Sequence, residues 1–263
     1  MVELAALLTD LDAETAELDA LVAARPPKDW ARPTPSPGWT VAHQIAHLAW
    51  TDRAALLATT DDAQFVALLA PLADDPDRIV DRGAEEYLAP PDELRQRWLA
   101  GQRELVAALR EAPPGKRIPW FGNLITPQSM ATARLMETWA HGLDIADALE
   151  LTRTPTERLR HIAFLGFRTL GHSFLAHGRP APSEPVRVEL TAPDGAEWTF
   201  GPEHATDRVT GPALDFCLLV TQRRHRADLA LIATGPVASE WLTVAQAFAG
   251  PPGVKREPTA ATS

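Results

Sequence analysis

The chain has 263 residues, 45% of them hydrophobic and 23% charged, with 35 acidic against 25 basic side chains and a formal net charge of −10. That is enough apolar material for one large core or two modest ones, and the acidic excess argues against non-specific nucleic-acid binding and against docking on an anionic membrane. A single cysteine, Cys217, excludes an internal disulfide framework and a multi-cysteine zinc cluster.

The opening segment is acidic where a signal peptide is basic, and no apolar run reaches membrane-spanning length. A reducing, cytoplasmic setting is expected. Residues 2–24 carry an apolar stripe of Leu4, Leu7, Leu8, Leu11, Leu18, Leu21 and Val22 at helical spacing. The proline-rich run 25–37 ends that helix and reads as a stiff connector. A second helix is expected over about 40–59. It carries His43 and His47, four residues apart and therefore on one face. His43 falls in the first turn and reads as a surface residue. His47, between Ile45, Leu48 and Trp50, is the better ligand candidate.

Residues 61–89 read as short, irregular helices, and 93–110 as a longer one started by Pro90-Pro91 and stopped by Pro113-Pro114-Gly115. Residues 118–127, with two prolines and five apolar side chains besides, are expected to form a loop. A fourth long helix follows over about 127–149. Within it Glu137 and His141 are again four residues apart, with Asp144 three further along the same face. Their neighbours Leu135, Met136, Trp139, Leu143 and Ile145 are apolar, so this face must be largely buried. A buried glutamate needs a partner, and either a metal ion or an arginine would serve. Two helices about ninety residues apart, each with donors on one inward face, are the pattern of a metal site in a bundle core.

A fifth helix is expected over about 155–177, and its His161, His172 and His177 read as surface or packing residues. The prolines of 179–185 read as a linker. Beyond it the pattern changes to period two: 186–190 and 197–200 alternate around a Pro193-Asp194-Gly195 turn, a β-hairpin signal. Residues 211–222 read as a helix, 229–233 as a strand, 237–248 as a last helix, and 251–263 as a disordered tail. The expected fold is therefore α+β: a helical bundle over 1–178 and a small α+β domain over 186–250. Arg223 and Arg224, just past an apolar helix, are candidates to hold an anionic substrate, because guanidinium groups pair carboxylates bidentately.

Three motifs resemble the DinB-like superfamily, in the branch of mycothiol-dependent maleylpyruvate isomerases. They are Pro37-Gly-Trp-Thr-Val-Ala-His-Gln-Ile-Ala-His47-Leu, Leu135-Met-Glu137-Thr-Trp-Ala-His141-Gly-Leu-Asp144, and Val186-Arg-Val-Glu-Leu-Thr-Ala-Pro-Asp-Gly195 with Trp198. The resemblance spans nearly the whole chain. It is nearest to a subgroup with the run Ile118-Pro-Trp-Phe-Gly122 before the fourth long helix.

That resemblance implies an up-down four-helix bundle with a divalent ion held by His47, Glu137 and His141, zinc first, with nickel or iron as alternatives. Three protein ligands leave coordination open, as in catalytic rather than structural zinc sites. Asp144 becomes a candidate acceptor orienting a ligand imidazole. The implied activity is S-transfer or isomerisation of a small electrophile with mycothiol or a similar thiol as cosubstrate, in a monomer or homodimer. Two alternatives stay open: an Fe(II) enzyme using the two histidines and one carboxylate for oxygen chemistry, and a non-catalytic metal-dependent ligand-binding or stress protein.

Overall fold

The structure, a computed structural model, describes residues 3–72, 74–75, 78–254 and 256–259. The expectations placed on Val2, on 73, 76 and 77, and on 255 and 260–263 lie outside the described residues. The chain divides into two compact units, Met1–Arg153 and Thr154–Ser263.

The first unit is built on four long helices, α1 (Leu4–Val22), α3 (Val41–Thr60), α6 (Pro91–Glu111) and α7 (Pro127–Ala148). Between them lie the short helices α2 (Pro27–Trp30), α4 (Asp62–Leu69) and α5 (Ile79–Tyr87). Packing pairs α3 with α6 and α7, and α1 with α7 and α6. The sequence explains the starts. Pro27, Pro91 and Pro127 sit at first helical positions, where a missing N–H costs nothing. Asp61 caps α4 by accepting from the N–H groups of Ala63 and Gln64, and Thr126 caps α7 by accepting from Ser129. α2 rises from what reads in the sequence as connector, because Trp30 is buried and anchors it.

The core of this unit includes Leu18, Val22, Trp30, Ile45, Trp98 and Ile145. α5 crosses α3 closely enough that a Cβ on Gly83 would run into the Trp50 ring, so glycine there is a packing requirement. Arg153 ties the end of α7 to α1, donating to Glu17 at 2.8 Å, to Glu14, and to the carbonyl of Trp139. Both acidic partners project from α1, so this link holds the first and last long helices together.

The segment expected to be a loop over 118–127 is instead a β-hairpin. Strands β1 (Ile118–Trp120) and β2 (Asn123–Ile125) pair antiparallel, with Trp120 opposite Asn123. Phe121 and Gly122 both have positive φ, 40° and 82°, which is what a tight two-residue connection requires. Trp120 stacks on Phe65 of α4 at 6.1 Å between ring centroids, which pins the hairpin to the bundle.

In the second unit a mixed sheet runs in the order β4-β3-β5-β6, from β3 (Val186–Thr191), β4 (Glu197–Phe200), β5 (Asp207–Pro212) and β6 (Ile232–Thr234). The expected hairpin is the antiparallel β3–β4 pair, while β3–β5 is parallel and β5–β6 antiparallel. Its helices are α8 (Leu159–Arg168), α9 (Leu170–Ala176), α10 (Ala213–Val220) and α11 (Pro236–Val244). The chain is thus mostly helical first and mixed α+β afterwards, as expected.

Three expectations change in this unit. The single helix 155–177 is two, interrupted at Thr169, whose hydroxyl bonds the carbonyls of Leu165 and Gly166 and competes with the helix ladder. α8 packs on α10 and α9 on α11, so the boundary between compact units falls at 153/154; the proline-rich stretch 179–185 is a loop inside the second unit. β5 occupies a stretch with no assigned strand, and takes 211–212 from the expected helix. Asp207 at its start accepts from the Ala238 N–H in the first turn of α11, where a carboxylate is favoured by the helix dipole. In the tail, the described residues 251–254 and 256–259 form no helix or strand, but Gly253 N–H donates to Gln222 and Thr259 N–H donates to Asp228.

Candidate metal centre

The inward faces of α3 and α7 bring His47, Glu137 and His141 together, with one ligand-capable atom from each within 4.8 Å of the others. His141 Nε2 lies 3.0 Å from Glu137 Oε2, and His47 Nε2 lies 3.5 Å from the same oxygen. The two imidazole rings are 4.4 Å apart at their centroids. Both histidines are buried, whereas the Glu137 side chain is 21% exposed and forms the open side. Burial opposes ionisation of Glu137, but hydrogen bonding to His141 and His47 and their charge outweigh it, holding the carboxyl well below the usual range.

The wall of the site comes from the loop before α3. The Trp39 ring stacks on His141 at 6.0 Å and lies 5.3 Å from His47, and its indole N–H donates to Asp81 at 2.9 Å. His43 sits beside it with a different task. Its Nδ1 meets the Thr40 hydroxyl at 2.8 Å and accepts from the Thr40 N–H at 3.3 Å, closing the first turn of α3. It is half-buried rather than a plain surface residue.

Asp144 is fully buried and accepts a hydrogen bond from the Ser36 hydroxyl at 3.1 Å. The acceptor on the outer nitrogen of His141, Nδ1, is Gln44 Oε1, which the sequence reading did not single out. An amide at the position after His43 carries no ligand chemistry, so spacing gives no signal for it. Behind His47 lies a second buried pair: Arg134 on α7 donates to Asp52 on α3 at 2.9 Å. Burial raises the Asp52 carboxyl above the ordinary range, opposed chiefly by Arg134.

The three residues fit a divalent ion on the chemistry of the donor set. Two imidazoles turn the same nitrogen toward one carboxylate oxygen, and His141 has its other nitrogen already engaged, as metal-ligating histidines do. Arg223 and Arg224 lie just past α10 in the second unit, half-buried, donating to the carbonyls of Thr221 and Arg223 respectively. His161 is buried, and His177 Nδ1 bonds the Ser173 carbonyl, as packing residues would.

Fold and donors together define a helical-bundle protein with a candidate metal centre in its core. Residues 11–146 match the family described as mycothiol maleylpyruvate isomerase N-terminal domain, and the chain belongs to it. A second match, to a family described as wyosine base formation, covers 182–234. Uncharacterised proteins from two strains of Mycobacterium tuberculosis are 53% identical over 247 residues, covering 94% of this chain and 96% of theirs. Among solved structures, a mycothiol-dependent maleylpyruvate isomerase matches with a TM-score of 0.58 and 18% identity, over 88% of this chain and 93% of its own. A histidine-to-alanine mutant of such an enzyme matches with the same TM-score at 17% identity. At those identities the likeness is one of fold.

Proposed function

We propose that the chain is a divalent-metal-dependent enzyme that joins a small external thiol, such as mycothiol, to a small electrophile, for S-transfer or isomerisation. The observation that carries the reading is the convergence of His47, Glu137 and His141 within 4.8 Å, in a chain of the maleylpyruvate isomerase family. A zinc-like ion held there lowers the pKa of a coordinated water or thiol, supplying a nucleophile at neutral pH. The residues around it do the rest. The buried histidines and the Trp39 ring exclude water from two sides, and Glu137 keeps the open side anionic, ready for a cation.

Cys217 supports an outside thiol. It is fully buried in the second unit, with its Sγ against the Leu159 carbonyl, and burial pushes its pKa far up. The chain's own sulfur is therefore a poor thiolate at neutral pH.

Protein purified without chelator should carry about one divalent ion per chain, as an open three-ligand site does. With that ion present, it should convert at least one member of a panel of small electrophiles only when mycothiol is supplied, with the thiol consumed if the reaction is S-transfer and recovered if it is isomerisation. A metal-loaded protein that binds thiol and electrophile without forming product would leave a ligand-binding protein instead. Two imidazoles and a carboxylate also suit Fe(II), and metal analysis with oxygen consumption separates that chemistry. Asp144, Arg223 and Arg224 enter the proposal on their chemistry, Asp144 as a buried positioning carboxylate and the arginines for an anionic substrate group.

A further inference from the structure

We propose that Gln44 is a positioning residue that fixes the tautomer and ring orientation of His141, through a hydrogen-bond chain anchored on the Trp39 backbone; the proposal rests on reading His141 as a metal ligand. The direction of the chain can be worked out from its far end. The Trp39 carbonyl can only accept, and it does so from the Thr34 N–H at 2.8 Å and from the Thr34 hydroxyl at 2.9 Å. Thr34 has then spent its single hydroxyl proton. The Gln44 atom lying 2.8 Å from that hydroxyl must therefore be the amide nitrogen, which donates to it. This settles which way the amide faces, a choice that an isolated glutamine leaves open.

With its nitrogen committed to Thr34, Gln44 turns its oxygen onto His141 Nδ1. An amide oxygen only accepts, so Nδ1 must carry the proton. When His141 is neutral, its lone pair is then on Nε2, the nitrogen that faces Glu137 at 3.0 Å. Gln44 is 0% exposed, so water cannot substitute for the amide. The chain also joins two parts of the site, because the Trp39 whose carbonyl terminates it stacks its ring on His141. His47 has no such support: its Nδ1 is buried without a hydrogen-bond partner among the described residues. Of the two imidazoles, His141 is the one the protein sets in advance.

The test compares Gln44→Met, which keeps the length of the side chain and removes the accepting oxygen, with Gln44→Glu, which keeps an acceptor. Zinc affinity is measured by competition with a chromophoric chelator, and folding by thermal melting. Gln44→Met should bind zinc about 10- to 100-fold more weakly than the parent, the usual loss on removing a ligand's outer partner. Gln44→Glu should bind at least as tightly as the parent, because a carboxylate also accepts from Nδ1–H.

Parent-like affinity in Gln44→Met, or equal weakening in both variants, would overturn the proposal while leaving the metal reading intact. A parent that binds no zinc would overturn the metal reading, and this one with it. Should Gln44→Glu not fold, the slowly exchanging Nδ1–H proton of His141 in the zinc-loaded protein decides by NMR. It should be present in the parent and lost to solvent exchange in Gln44→Met; its persistence in Gln44→Met would count against the chain.

Discussion

Alanine at His141, Glu137 or His47 should empty the metal centre. Each residue supplies one of three converging donors, and an open site has none to spare. The loss of affinity should exceed the ~10- to 100-fold expected when only an outer partner is removed. Equilibrium dialysis against a metal-buffered solution measures it directly. His43→Ala is the internal control. Its ring closes the first turn of α3 on Thr40, so its removal should lower helix stability slightly and leave metal content unchanged. Retention of tight binding in His141→Ala would show the donor set to be wrong.

Arg134→Met should strongly destabilise the bundle. Arg134 and Asp52 are both buried, and removing one partner strands the other charge, at a cost of about 3–5 kcal/mol. Urea unfolding should show it. The double variant Asp52→Leu/Arg134→Met should recover most of that loss, since apolar residues of similar volume replace such a pair well.

The pH dependence has a definite sign. The folded-state pKa of Asp52 is raised, by burial against the opposing pull of Arg134. Between the unfolded value, about 3.9, and the raised folded one, the folded state binds more protons, so this group's contribution to stability falls as pH rises. Without Arg134 the shift grows. The deficit of Arg134→Met relative to the parent should therefore be full at neutral pH and shrink as pH falls toward 4. A deficit that does not change with pH would mean that Asp52 is not the stranded charge.

The residues that converge at the candidate centre were legible because they are written in helical period. Glu137 and His141 fall four apart among apolar neighbours, and the same neighbours separate His47, between Ile45 and Leu48, from His43. Gln44 was not legible, because its function exists only once α3 meets α7, across 97 positions of chain. A buried amide also looks like any polar residue in a helix.

The β1–β2 hairpin was hidden by Pro119 and by a Phe121-Gly122 turn whose positive φ falls partly on an aromatic residue. The strand β5 was hidden by Gly211-Pro212, which read as the start of a helix and in fact ends the strand just before α10. The division at 153/154 carries no proline cluster like that of 179–185. It follows from packing, with α8 and α9 lying on α10 and α11. Composition marks flexible connections better than it marks the edges of cores.

The unequal exposure of the three donors has a kinetic meaning. Glu137 is the one at the mouth, so the metal-free site meets an arriving molecule with a carboxylate, in a chain of net charge −10. An anionic ligand approaching that face is repelled, whereas a divalent cation is drawn in. With a cation seated there, the local charge would change sign and the same mouth would attract what the metal-free site turns away. Metal-loaded protein should therefore take up an anionic ligand better than metal-free protein, and low salt should widen the difference.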